Sequence, residues 1–154
     1  MDFFNLDNNS IETKTFVDNA LIYLLEISTE LTKVTVFCNE EDREKITEAK
    51  IRKFIEIEGK EYNIDYIGIS AFKDCINLRK VEIPEGIEKI FAGAFAETAL
   101  EEINIPQSVK YLGFGAFSGC TKLKKVSLPS TCEINGDPFL GCNKELIIDT
   151  YEAY

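Results

Sequence analysis

Five cysteines carry the most reactive side chains of this 154-residue sequence, which contains no histidine. They are Cys38, Cys75, Cys120, Cys132 and Cys142. The lack of imidazole excludes His-based triads, Cys–His nucleophile pairs and zinc sites with imidazole ligands. An odd number of scattered thiols without a CxxC motif predicts reduced cysteines. No base or cation is expected to be fixed beside the thiols of the internal repeat, so no nucleophilic role is predicted.

Three segments resemble other kinds of site only in the types and order of their residues. Residues 113–119 are glycine-rich, but they lack GxGxxG spacing and follow no long strand. Residues 135–137 come nearest to a calcium loop, where a plain turn is the simpler interpretation. Residues 8–10 spell a glycosylation sequon. Since the carboxylates fall at exposed positions without a cleft, the sequence predicts no catalytic residue, no cofactor and no metal site.

The net charge of −10 bears on the class of partner. Binding to phosphates requires clustered Lys and Arg, so neither nucleic acid nor an anionic membrane is expected as a partner, and a basic protein is favoured. No run of 18 apolar residues is present, so no insertion into a membrane is predicted. The N-terminus lacks the features of a signal peptide, which predicts a cytoplasmic protein. The alternative is a cell-surface or secreted protein whose signal peptide was removed.

An internal repeat organises the C-terminal two thirds of the sequence. Its recurring phenylalanines, Phe72, Phe95, Phe117 and Phe139, are 23, 22 and 22 residues apart. A period in the low twenties is typical of leucine-rich repeats, in which each coil contributes one short strand. We expect the four rings to stack in a buried ladder. Cys75, Cys120 and Cys142 share one register, which predicts buried free thiols, with a Cys120–Cys142 disulfide between neighbouring coils as the alternative.

The spacing of apolar residues in each copy predicts a short strand that ends at a proline. The side chains expected to point into the solenoid are Val81, Ile83, Ile103, Ile105, Val126 and Leu128. The strand positions between them point to solvent. The predicted partner-binding surface, which we call the strand face, consists of Arg79, Lys80, Glu82, Glu101, Glu102, Asn104, Lys124, Lys125 and Ser127. Its charges run basic, acidic and basic across neighbouring coils, so mutual neutralisation between the coils is the alternative interpretation.

The first copy reads Ile67-Gly68-x-x-Ala71-Phe72-x-x-Cys75-x-x-Leu78-x-x-Val81-x-Ile83-Pro84. This pattern resembles the consensus of the BspA-like leucine-rich repeats, and residues 57–68 resemble the hairpin that often precedes such arrays. The resemblance implies an α/β repeat solenoid, a right-handed coil with short parallel strands. It also implies a protein that binds other proteins, typically at a cell surface or after secretion. Two departures are Phe91, where the family usually has Gly, and a second coil that is one residue short.

Three regions are predicted: an N-terminal cap over residues 1–53, repeats of 22–23 residues over 54–148 and a tail over 149–154. Residues 20–27 and 33–38 are expected to form an antiparallel β-hairpin that caps the first coil. Residues 2–19 are either partly disordered or contain a short helix over 11–19. Residues 39–52 are either a helix with Asn39 as its N-cap or a charged loop. Tyr151 and Tyr154 are expected to fold back over the last coil.

The function predicted from these features is a non-enzymatic protein-binding module that uses the strand face. A cytoplasmic, immunity-type antagonist of a basic toxin and a self-associating structural domain are the alternatives. The chain itself is expected to be a monomer or a weak homo-oligomer. A second candidate surface contains Phe91 and Phe114 near Tyr111, although packing against the neighbouring coil is the favoured explanation of both rings.

Overall fold

The computed structural model describes residues 10–152, which form fourteen short strands and one 3-10 helix. In chain order the strands are β1 Glu12–Asp18, β2 Leu21–Ile27, β3 Thr32–Cys38, β4 Glu48–Lys50, β5 Phe54–Ile57, β6 Lys60–Asn63, β7 Tyr66–Ile67, β8 Lys80–Glu82, β9 Lys89–Ile90, β10 Glu102–Asn104, β11 Tyr111–Leu112, β12 Lys125–Pro129, β13 Glu133–Ile134 and β14 Ile147–Tyr151. No α-helix occurs among the described residues, so the predicted α/β class was wrong, and the fold is a β-solenoid. The return path of each coil consists of turns rather than a helix.

The back of the solenoid is a seven-stranded sheet in the order β1-β2-β3-β7-β9-β11-β13. β2 pairs antiparallel with both β1 and β3, and β3 then pairs in parallel with β7 of the first coil. Alternate residues of β2 and β3, such as Tyr23 and Val36, are buried, which is the pattern of strands with one face on a core. The role of β1–β3 as a cap stays a prediction.

A helix over residues 11–19 was the wrong alternative, since β1 occupies this segment. The Phe16 ring packs edge-on against Tyr23 of β2, with 6.0 Å between ring centroids. Phe16 and the other half-buried residues of β1 alternate with exposed ones, and this two-residue period suits a strand at a sheet edge. Residues 1–9, which include most of the sequon at 8–10, lie outside the described part of the chain, as does Tyr154.

Of the two alternatives for residues 39–52, the helix is wrong in extent, and the charged loop does not describe the strand within it. Only Glu40–Asp42 form a 3-10 turn, for which the Asn39 side chain accepts a hydrogen bond from the Glu41 N–H at 3.4 Å, as an N-cap does. The segment then forms β4, which pairs in parallel with β8. Burial of Ile46, Ala49 and Ile51 against the first coil outweighs the helical preference of this charged segment.

The phenylalanine ladder is confirmed. Ring centroids are 5.1 Å apart for Phe72–Phe95, 5.3 Å for Phe95–Phe117 and 5.7 Å for Phe117–Phe139, and all three pairs are stacked. The first three rings are fully buried, whereas Phe139 is only half-buried because it ends the ladder. Backbone bonds run beside the rings from coil to coil, as from the Phe95 N–H to the Ala116 carbonyl at 2.7 Å.

A β-hairpin leads into the array, as the resemblance of residues 57–68 implied. β5 and β6 pair antiparallel around Glu58 and Gly59, both of which have positive φ angles, 53° and 77°. Two successive residues with positive φ are typical of a type I′ turn, which matches the twist of its strands. At the other end of the array, β14 extends across the predicted boundary between the repeats, which were to end at residue 148, and the tail, which was to begin at residue 149.

Candidate partner-binding surface

The strand face lies over two groups of parallel strands at the front of the solenoid. β4 pairs with β8, and β10, β12 and β14 form a second sheet. Eight of the nine predicted residues are exposed, and Ser127 is half-buried in the middle of its sheet. The inward residues are buried as expected, except for Ile83, which is half-buried just after β8. The alternation of inward and outward side chains therefore follows the predicted register.

β8 and β10 lie side by side, yet no backbone hydrogen bond joins them within residues 10–152. The second coil is one residue short between its phenylalanine and its strand, and the break in the ladder falls directly beside this strand. The break coincides with a depression of about 690 Å³, which we call the β8–β10 depression. The predicted residues that line it are Arg79, Lys80, Glu82, Glu101, Glu102 and Asn104. Lys124, Lys125 and Ser127 lie farther along the strand face, on and just before β12.

No ion pair of the strand face runs from one of the strands β8, β10 and β12 to another of them, within the described residues. Lys80 Nζ lies 4.0 Å from Glu82 on its own strand, and Lys50 Nζ of β4 lies 3.6 Å from the same carboxylate. Lys125 pairs at 3.3 Å with Asp149 of β14. In the described part of the chain, Glu101 and Glu102 have no ion-pair partner. Neutralisation between neighbouring strands therefore occurs for Glu82 and Lys125, whereas no ion pair within residues 10–152 joins β8, β10 and β12 to one another.

One residue of the depression was not predicted from the sequence. Glu48 of β4 also lines it, because β4 stands beside β8 as a further strand of the front surface. A signal for this strand was present in the sequence. Ile46, Ala49 and Ile51 have the i, i+3, i+5 spacing of Leu78, Val81 and Ile83, but the small side chain at the middle position weakens the match.

The five cysteines are free thiols, so the Cys120–Cys142 disulfide is not formed. Burial raises the pKa of Cys120, and it raises the pKa of Cys142 to about 11. Each Sγ donates to a carbonyl of the preceding coil at 3.0 Å, Cys120 to Phe95 and Cys142 to Phe117. Cys142 is half-buried, in contrast to the fully buried Cys120.

The expectation that no cation lies beside a thiol of the repeat was wrong at Cys75, which neighbours Cys38 and Arg43. A hydrogen bond from Cys75 lowers the pKa of Cys38, to which the positive charge of Arg43 also contributes. The same hydrogen bond and burial raise the pKa of Cys75. The Arg43 guanidinium donates to the Lys73 carbonyl at 2.6 Å, so it ties the turn between β7 and β8 to the 3-10 segment. Both thiols are buried in the core.

The glycine-rich segment 113–119 is explained by close packing between coils. A Cβ at Gly113 would lie 2.5 Å from the Ala92 nitrogen, so only glycine fits there. In the turn at 135–137, Asp137 accepts from the Phe139 N–H at 2.9 Å, and Asn135 donates to the Tyr111 hydroxyl at 2.9 Å. Asp137 therefore stabilises the turn itself, and Asn135 joins the turn to the preceding coil. Within residues 10–152 no cluster of three or more potential metal ligands occurs.

Phe91 and Phe114 differ in their surroundings. The Phe91 ring packs between Tyr66 and Tyr111, with centroids 5.2 and 6.4 Å away, so packing between coils explains it. The Phe114 ring is 54% exposed, close to Gly136. Tyr151 is the last residue of β14, and its side-chain hydroxyl donates to the Ile105 carbonyl at 2.5 Å.

Stacked coils of 22–23 residues, a phenylalanine ladder and a row of short parallel strands define a leucine-rich-repeat solenoid. The family model of the BspA type leucine-rich repeat region matches residues 52–150 in six copies. The chain belongs to this family. No curated protein matches it. None of the helical segments in the described part of the chain is long and apolar enough to cross a bilayer.

Solved structures with similar folds are bacterial. A leucine-rich repeat protein from Bacteroides capillosus is 25% identical with a TM-score of 0.74, and the alignment covers 89% of this chain and 98% of that one. The T. pallidum leucine-rich repeat protein TpLRR is 20% identical with a TM-score of 0.60, covering 81% and 65% of the two chains. The pneumococcal vaccine antigen PcpA is 19% identical with a TM-score of 0.54, covering 91% and 50%. The last two likenesses concern the fold alone.

Proposed function

We propose that this chain is a non-enzymatic module that binds another protein through the strand face. The observation that carries the proposal is the β8–β10 depression, where six of the nine predicted residues meet at a break in the strand ladder. A depression lined by exposed side chains and unpaired strand edges offers both charge and backbone hydrogen-bonding groups to a partner. Membership of a repeat family whose stacked strands form an extended surface supports the same interpretation.

The partner is a basic protein. Glu48, Glu101 and Glu102 line the depression without an ion-pair partner in the described residues, and the chain as a whole carries a net charge of −10. Unpaired carboxylates at an interface attract Lys and Arg and accelerate association. An acidic antagonist of a basic toxin is one form that such a binding module takes.

The test uses a partner captured from the native organism and then purified. Replacing Lys80, Glu102 and Lys125 together with Ala should weaken its binding by about tenfold, since central contacts dominate interface energies. The matched control replaces Lys60, Glu61 and Lys144, which are equally charged and exposed elsewhere, and should leave the affinity unchanged. Equal affinities of both triple variants for the partner would contradict the proposal.

A separate variant tests the basic character of the partner. Glu101→Gln with Glu102→Gln should lower the association rate and make binding less sensitive to salt, because both carboxylates would no longer attract the partner. Stopped-flow measurements at two salt concentrations provide these rates. An unchanged association rate would contradict a basic partner while leaving the strand face itself in place.

Self-association is the second candidate function. The last coil exposes Ile134, Leu140, Ile147 and Ile148, and both β13 and β14 are sheet edges. Apolar side chains beside open strand edges favour pairing with another copy. Sedimentation of the full chain at high concentration tests this candidate, and Ile148→Lys should shift any dimer to monomer. A monomer at every concentration would contradict it.

A further inference from the structure

We propose that the outer edge of β4 binds an extended peptide segment of another protein by β-strand addition. A groove of about 510 Å³ runs beside β4, and its opposite wall is the turn between β1 and β2. We call it the β4 groove. It shares only Glu48 with the β8–β10 depression, so this inference does not depend on the proposed role of the strand face.

The backbone of β4 has one paired and one unpaired edge. The Thr47 carbonyl accepts from the Arg79 N–H at 2.8 Å, and the Ile51 N–H donates to the Glu82 carbonyl at 3.1 Å. Both groups face β8. Because hydrogen-bonding groups alternate along a strand with a period of two residues, the N–H and carbonyl groups of Glu48 and Lys50 face the groove. Within residues 10–152 no backbone group pairs with this edge.

Hydrogen bonds fix the wall that lies opposite β4. At one end Arg52 joins the two walls: its N–H donates to the Tyr23 hydroxyl at 3.0 Å, and its side chain contacts Asp18 at 2.6 Å. Within the opposite wall, the Asn39 N–H donates to the Ala20 carbonyl at 2.6 Å, which continues the pairing of β2 with β3. On the back of the solenoid the same N-terminal sheet pairs directly through β3 and β7. At the front, none of the described strands pairs with the corresponding edge of β4.

The lining of the groove defines the side chains that fit. Leu21, Ile46, Ala49 and Ile51 are buried residues that border it, and Pro84 lies at its margin. A strand added to β4 would direct every second side chain toward these apolar residues and the others toward solvent. The ligand is therefore a segment of about three to five residues, about 10–17 Å long, with apolar residues at alternate positions.

Open N–H and carbonyl groups in a row are complementary to another peptide backbone, which is the basis of recognition by strand addition. Self-association is proposed through the last coil, whereas β4 stands beside the first coil, so a second copy bound there would leave the β4 groove free for a different occupant. A segment from a different protein meets both requirements, a free backbone edge and alternating apolar side chains.

The experiment selects random heptapeptides displayed on phage against the immobilised full chain. Enriched sequences should alternate apolar and polar residues, and the synthetic peptide is then titrated into the wild-type chain and two variants. Lys50→Pro removes one of the two N–H groups that face the groove and keeps the bonds to β8, so it should weaken binding about tenfold. Lys50→Gln keeps that N–H and should bind within about twofold of wild type, although it also loses the ion pair with Glu82.

Amide exchange on the wild-type chain supplies a measurement without any substitution. Addition of the selected peptide should slow exchange at the amides of Glu48 and Lys50 at least tenfold, because both become hydrogen-bonded. This result decides the question if Lys50→Pro fails to fold. No enrichment over an unrelated protein surface, equal affinity for the proline variant, or protection confined to other amides would each overturn the proposal.

Discussion

Phe95 is the residue whose removal should most clearly reveal how the solenoid is held together. Its ring lies between Phe72 at 5.1 Å and Phe117 at 5.3 Å, and it is fully buried. Truncation of such a phenylalanine to alanine costs about 3–5 kcal/mol, because the surrounding residues collapse only partly into the cavity. Two stacked neighbours, each contributing about 0.5–1.5 kcal/mol beyond burial, place Phe95→Ala at the upper end of this range.

Phe139 provides the matched comparison at the same position of the last coil. It is half-buried and stacks on one ring only, Phe117 at 5.7 Å, so Phe139→Ala should cost about 2 kcal/mol, roughly half as much. Urea unfolding monitored by circular dichroism measures both free energies of unfolding. Phe95→Leu retains most of the volume and should cost less than about 1.5 kcal/mol, which keeps the comparison possible if the alanine variant unfolds. Equal costs for Phe95→Ala and Phe139→Ala would refute the argument that the continuous ladder stabilises the array.

Three further predictions concern pH, backbone packing and a buried hydroxyl. Burial raises the pKa of Cys142 to about 11 from an ordinary value of 9.0, so the folded chain keeps a proton that the unfolded chain releases. The resulting contribution to stability is present below the unfolded pKa of 9.0 and is lost as the pH rises toward about 11. Between about pH 8 and pH 10.5 the free energy of unfolding should therefore fall more for the wild-type chain than for Cys142→Ala. Equal losses in the two chains would contradict this linkage. Gly113→Ala should cost about 1–3 kcal/mol, since its Cβ would lie 2.5 Å from the Ala92 nitrogen, and an unchanged melting temperature would contradict this close packing. Tyr23→Phe should cost about 1 kcal/mol by urea unfolding, because the Arg52 N–H loses its acceptor at 3.0 Å; a neutral substitution would mean that water replaces the hydroxyl.

The repeat is recognisable from the sequence alone because its signals are local and recur in register. The phenylalanines at one position per coil predicted the ring ladder, and the i, i+3, i+5 spacing predicted which strand residues are buried. Both properties depend on contacts between equivalent positions of neighbouring coils. A period of 22–23 residues brings those positions together in any stacked array, so the outward residues of the strand face followed from the same register.

Other features depend on contacts between segments that the repeat does not relate. The charges of residues 39–52 suit a helix, and only the first coil, by burying Ala49, turns Glu48–Lys50 into a strand. The missing residue of the second coil is visible in the sequence, but the separation of β8 from β10 is a matter of three-dimensional position. The β4 groove likewise depends on how the N-terminal sheet packs, because β3 pairs with β7 at the back of the solenoid and Arg52 joins β1 and β2 to the segment that follows β4. Local periodicity sets which side of a strand faces the core, whereas the gaps between strands arise from long-range packing.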